Sequence, residues 1–127
     1  MFIPAHEFVQ KAKSGICEIS LEDAEKIVVS KASLVLDVRE PGEFQEGHLL
    51  GAVNIPRGML EFVLSAQPEL QDTSKEVLVY CKTGGRAALA AISLQAMGFE
   101  NVKSIAGGYD GWHASGRMVA LPNISFD

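Results

Sequence analysis

The sequence predicts an α/β domain with a mostly parallel central sheet and helices on both of its faces. Three observations carry that expectation. Short apolar runs alternate with helix-forming runs from about residue 16 onward, with no internal repeat and no low-complexity stretch. Two of those runs, Leu34-Val35-Leu36-Asp37-Val38 and Val77-Leu78-Val79-Tyr80, are almost continuously apolar, as strands covered on both faces are. The second run passes through a loop with two glycines, Gly84 and Gly85, into an alanine-rich stretch without a breaker, Arg86 to Met97. That is the strand–turn–helix step of a βαβ unit.

Each element can be read in order. Residues 1–17 are read as a helical extension and 18–127 as the domain proper. Within the extension, Phe8, Val9 and Ala12 share one face of an amphipathic helix starting near Pro4. Ile16 to Ile19 is a short strand. Ser20-Leu21-Glu22-Asp23 resembles a capping box with a shortened acidic partner, and Leu21, Ala24, Ile27 and Val28 line the helical face that follows. Leu34 to Val38 is a buried strand, and Glu40-Pro41-Gly42-Glu43-Phe44 starts a short helix or turn. Ala52 to Pro56 is a strand stopped by its proline, and Met59 to Ala66 is helical, ending before Pro68. Glu76 to Cys81 is a strand, and the helix after it stops at Gly98. Asn101 to Ile105 is the last strand, followed by a short helix around Tyr109 to Ala114.

A chain of 127 residues is one domain by length, and 47% hydrophobic with 21% charged residues describes an ordinary globular protein. A net charge of −5 argues against a nucleic-acid partner, which would call for a basic face. The N-terminus lacks the pattern of a signal peptide, no apolar run is long enough to span a membrane, and a cytoplasmic, reducing setting is expected. Two cysteines, Cys17 and Cys81, permit at most one disulfide. Three histidines, none spaced near a cysteine as ligands, give no support for a metal site, and no cofactor is called for.

The chemistry concentrates in Tyr80-Cys81-Lys82-Thr83-Gly84-Gly85-Arg86. A cysteine at a strand-to-helix turn faces several backbone N–H groups and the positive end of a helix dipole. Such a place favours the thiolate and also holds an anion. Gly84 and Gly85 allow the backbone to approach a ligand closely, and Lys82 with Arg86 adds local positive charge to an acidic chain. In parallel sheets the ligand lies beyond the carboxyl ends of the strands, which is where Cys81 falls. The bland alternative is a cysteine packed as a small hydrophobe; the glycines and cations favour a reactive one.

Four segments together resemble the rhodanese, or sulfurtransferase, family over about residues 19 to 117. They are Leu36-Asp37-Val38-Arg39-Glu40-Pro41-Gly42-Glu43-Phe44 and Gly47-His48-Leu49-Leu50-Gly51-Ala52-Val53-Asn54-Ile55-Pro56, then Cys81-Lys82-Thr83-Gly84-Gly85-Arg86 and Gly107-Gly108-Tyr109-Asp110-Gly111-Trp112. The resemblance implies a three-layer rhodanese-like fold and a single-domain thiosulfate sulfurtransferase working through a Cys81 persulfide. It implies a small anionic sulfur donor and a thiol or cyanide acceptor, with a sulfur-relay protein as a possible partner. It also implies that residues 82–86, namely Lys82, Thr83, Gly84, Gly85 and Arg86, bind the transferred sulfur through their amides. Lys82 is read as orienting the donor or else as a solvated charge, and Arg86 as anchoring the loop or the anion or else forming a structural ion pair. A second reading makes the chain a rhodanese-like binding module or relay, active only with a partner protein.

Loop length separates the nearest competitor. Protein tyrosine phosphatases resemble a loop one residue longer, closed by an arginine and a Ser or Thr; here four residues separate Cys81 and Arg86, and Ala87 follows. Asp37 and Arg39 are read as structural support for the Cys81 loop, and Glu43 as structural. His48 is read as bonding a backbone carbonyl rather than acting as a base. Trp112 and Tyr109 are expected to close the core under the last helix, and Cys17 to pack as a buried thiol.

Overall fold

The computed structural model describes residues 1–121; the expected domain end at 127 lies outside them. The chain runs α1 (Ala5–Lys13), β1 (Cys17–Ile19), α2 (Leu21–Ser30), β2 (Leu34–Asp37), α3 (Pro41–Glu46) and β3 (Val53–Asn54). It continues through a 3-10 turn (Arg57–Met59) to α4 (Leu60–Ala66), then β4 (Val77–Tyr80), α5 (Gly85–Ala96), β5 (Val102–Ile105) and α6 (Gly108–Ala114). The strands form one sheet of five in the order β1-β5-β4-β2-β3, and every ladder is parallel. The expected fold class is the observed one.

β4 sits at the centre, and all four of its residues are buried, as a strand covered on both faces must be. One face carries Leu36, Val77, Val79 and Cys81 against α4 and α5; the other carries Val35, Leu78, Tyr80 and Ile105 against α2 and α6. The pleat therefore sends Tyr80 and Cys81 to opposite cores. Alanines make the first contact possible: Ala87, Ala88, Ala90 and Ala91 are all buried and let α5 lie close on the sheet.

The Ser20 hydroxyl accepts the Asp23 N–H at 3.1 Å, which is half of the expected box. The returning bond does not form, since aspartate is one methylene shorter than glutamate. Instead a reciprocal contact appears at α3, where the Glu40 N–H donates to Glu43 Oε1 at 3.1 Å.

Several expectations need correction. Cys17 is exposed, because β1 is a three-residue edge strand that no helix covers there. On α1, by contrast, Phe8, Val9 and Ala12 all face α5: Phe8, 54% exposed, lines a groove with Ala12, Leu89 and Ile92, and Val9 lies against Gly85. The third strand shrinks to Val53–Asn54, and the turn that should begin the next helix at Met59 is 3-10, its α-helical part starting at Leu60.

Candidate active site

β4 ends at Tyr80, so Cys81 is the first residue beyond the central strand, only 1% exposed. The chain turns through Lys82 and the exposed Thr83 to Gly84, whose φ of +124° suits glycine and which caps α5. This turn folds the N-terminus of α5 back over the sulfur. The Gly84 N–H donates to Cys81 Sγ at 3.1 Å and the Ala87 N–H at 3.3 Å. The cradle expected over residues 82–86 therefore reaches the sulfur through Gly84 and, one residue outside that span, Ala87. Ala87 was findable: the first-turn N–H groups of a helix lack intrahelical acceptors.

The carbonyls of the same loop are held from the other side. The Tyr109 N–H donates to the Cys81 carbonyl at 2.8 Å, and the Asp110 N–H to the Lys82 carbonyl at 3.0 Å. Gly108, at φ +57°, makes that approach possible: a Cβ there would lie 2.6 Å from the Lys82 carbonyl oxygen and 2.7 Å from that of Cys81. Thus α5 donates to the sulfur while α6 clamps the backbone beneath it. In the sequence Gly107-Gly108 is legible only as part of the fourth family segment; the carbonyls it meets lie far away in the chain.

Both loop cations are already paired. Arg86 donates to the two Glu43 oxygens at 2.7 and 3.0 Å, tying α5 to α3. The Arg86 hydrogen bond pulls the Glu43 carboxyl down to about 2, and Glu43 in turn raises Arg86 above its ordinary range. Lys82 Nζ meets Asp110 at 3.0 and 3.1 Å on an exposed surface. A cleft of about 350 Å³ opens beside them, lined by Arg39, Glu43, Lys82, Tyr109, Asp110 and His113 among others. Lys82, the residue after Cys81, forms part of its wall.

Asp37 and Arg39 do not touch Cys81. Both are buried, at 0% and 4% exposed. Arg39 Nη2 donates to Asp37 Oδ2 at 2.8 Å and to the Gly47 carbonyl at 2.7 Å, while Nε reaches both Asp37 oxygens at 3.1 Å. Burial works against the Arg39 charge, but Asp37 outweighs it and holds the guanidinium above its ordinary range. The same guanidinium lies over the Tyr109 ring at 4.2 Å and the Tyr80 ring at 5.6 Å. Tyr80 precedes Cys81 in the chain and Tyr109 caps its carbonyl, so the pair sits under the loop on its non-sulfur side. Burial, then the nearby Asp37, pushes the Tyr80 hydroxyl up, and that oxygen accepts the Leu49 N–H at 3.0 Å. His48 bonds the Phe44 carbonyl through Nδ1 at 3.0 Å and stacks on the Phe44 ring. Trp112 is buried, and Tyr109 is half-buried at the cleft.

The family profile of the Rhodanese-like domain matches residues 20–115. The chain belongs to the rhodanese family. This rhodanese domain is 33% identical over 113 residues to the thiosulfate sulfurtransferase PspE of Escherichia coli, covering 88% of the chain and 96% of that relative. It is 38% identical over 91 residues to the chloroplastic thiosulfate sulfurtransferase 16 of Arabidopsis thaliana, covering 64% of the chain and 74% of that protein. Among solved structures, a protein of unknown function from Rhodopseudomonas palustris, described as a possible tyrosine phosphatase, superposes with a TM-score of 0.86 at 32% identity. That superposition covers 94% of this chain and 96% of the other. No helix among the described residues is long and apolar enough to cross a membrane.

Proposed function

We propose that this rhodanese domain is a sulfurtransferase that carries a sulfane sulfur on Cys81. One observation carries the reading: two N–H groups converge on Cys81 Sγ at the N-terminus of α5, one from Gly84 in the four-residue loop before Arg86 and one from Ala87 just after it. A thiolate held this way attacks the outer sulfur of thiosulfate. A new S–S bond forms to Cys81, the S–S bond of thiosulfate breaks, and sulfite leaves with the electron pair. The persulfide's terminal sulfur then passes to cyanide or a thiolate, and the Cys81 thiolate returns. The charge on sulfur stays anionic throughout, so fixed N–H donors serve both half-reactions without a general base. A reducing, cytoplasmic setting would keep the thiol available between turnovers.

The other site residues take supporting roles in this reading. Lys82, on the exposed rim, orients the donor anion by exchanging its contact with Asp110. Arg86 acts through Glu43 as the tie that keeps the first turn of α5 over the sulfur. Asp37 and Arg39 brace the loop from below through Tyr80 and Tyr109. Residues 1–17 are read as an extension to the domain.

Thiosulfate:cyanide turnover by the purified protein tests the reading. Steady production of thiocyanate is the expected result. Turnover only after adding a partner protein would favour the relay reading. Aryl phosphate hydrolysis at a comparable rate would restore the phosphatase alternative, which the short loop disfavours because it encircles too little space for a phosphoryl group.

A further inference from the structure

The N-terminal helix reaches the sulfur loop. α1 lies wholly before the family match at residues 20–115, yet it covers both glycines of the loop. A Cβ on Gly85 would meet Val9 Cγ2 at 3.6 Å; one on Gly84 would meet Lys13 Nζ at 3.6 Å and Glu18 Oε2 at 3.8 Å. Gly84 is buried for this reason, although it belongs to a loop. It is also one of the two residues whose N–H holds Cys81 Sγ.

The three cations around the loop differ in how tightly they are held. Lys82 and Arg86 each make two hydrogen bonds to one carboxylate, at 2.7 to 3.1 Å. Lys13 stands 3.6 Å from Glu18 Oε2 and makes no hydrogen bond to it. Its ammonium is the least neutralised of the three, and a third of its side chain remains exposed.

We propose that Lys13 is a specificity-determining residue of the Cys81 site: its ammonium over Gly84 draws anionic reagents to the sulfur, and Glu18 opposes it. Sulfur transfer at Cys81 is assumed for the kinetic part of the test alone. The pair gives an unusual signature. Removing Lys13 leaves the Glu18 carboxylate facing the loop, so anions are repelled. Removing the Glu18 charge leaves Lys13 unopposed, so anions are favoured. A pair that merely staples α1 to β1 gives the same sign for both, since either substitution breaks the same contact.

Two readouts decide the matter. The first is thiosulfate:cyanide kinetics at low ionic strength. Lys13→Ala should raise KM for thiosulfate about three- to tenfold with kcat little changed, as expected for one weakly screened charge. Lys13→Arg should restore it, and Glu18→Gln should lower KM. The differences should shrink in 0.5 M salt, where the screening length falls to about 4 Å. Lys11→Ala, on the same helix, should match wild type. The second readout needs no sulfur transfer: alkylation of Cys81, in a Cys17→Ser background, by anionic iodoacetate against neutral iodoacetamide. Lys13→Ala should slow iodoacetate relative to iodoacetamide, and Glu18→Gln should speed it. Loss of thiosulfate turnover in wild type with this ratio intact would remove the sulfur-transfer reading and leave the Lys13 role standing. Shifts of the same sign for Lys13→Ala and Glu18→Gln, or an unchanged ratio in both, would overturn the proposal.

Discussion

The backbone N–H of Tyr109 donates to the carbonyl of Cys81 at 2.8 Å, so α6 holds by its main chain the residue whose sulfur α5 holds by its own. Cys81 is thereby fixed at both ends, and Gly108 is the residue that permits it. Gly108→Ala would drive a methyl into two backbone carbonyls that cannot turn aside. The expected loss is about 1–3 kcal/mol of stability, with a fall in turnover as the loop shifts. Gly116→Ala provides the comparison: it also has positive φ, at +79°, but meets nothing within 4 Å. It should lower the melting temperature modestly and leave turnover intact. Equal effects of the two substitutions on turnover would show that the α6 clamp is not needed.

Cys81 and Cys17 should behave oppositely under thiosulfate. Intact-mass measurement should show a single added sulfur, lost in Cys81→Ser and kept in Cys17→Ser. Cys17 is the exposed thiol, so bulk alkylation should label it readily. An adduct that survives Cys81→Ser would place the sulfur elsewhere.

Lys82 and Arg86 should separate kinetically. Lys82 sits on the exposed rim in a solvated pair, so Lys82→Ala should raise KM for thiosulfate with a smaller effect on kcat. Arg86 is tied to α3 through Glu43 and carries the first turn of α5, so Arg86→Ala should damage both constants. Wild-type kinetics in both variants would leave the backbone cradle as the whole site.

The Arg86–Glu43 tie also has a pH signature. The Glu43 carboxyl is lowered from 4.5 to about 2 by the Arg86 hydrogen bond. A depressed carboxylate contributes stability that is fully present above its unfolded value and is lost as pH falls through the folded one. Glu43→Gln should therefore be less stable than wild type at pH 7, and the two melting curves should converge between about pH 4.5 and pH 2. A gap that persists unchanged at pH 2 would assign the loss to packing rather than charge.

Asp37→Ala would strand the Arg39 guanidinium in a site where it is 4% exposed. The expected loss is about 3–5 kcal/mol, the size seen when one partner of a buried ion pair is removed. Chemical denaturation measures it directly. A loss below about 1 kcal/mol would mean that water or a rearranged side chain reaches Arg39.

Much of this molecule is local and therefore readable from the chain. Val77 to Tyr80, the glycines at 84 and 85 and the alanines after them determine a strand, a turn and a helix, because strand and helix periods and positive-φ tolerance are properties of neighbouring residues. They also determine that Cys81 stands where helix N–H groups converge. Other features depend on contacts between residues far apart in sequence, which no local pattern encodes. Arg86 finds Glu43 because β2 and β4 are neighbours in the sheet, which sets α3 beside α5. Cys17 is exposed because β1 falls at the sheet edge, although a lone thiol in a short strand is expected to pack. Gly108 takes its meaning from the Cys81 and Lys82 carbonyls, and Lys13 from Gly84. Only the packed order of strands, with the helices it brings together over one end of the sheet, decided which backbone and which charges surround the sulfur.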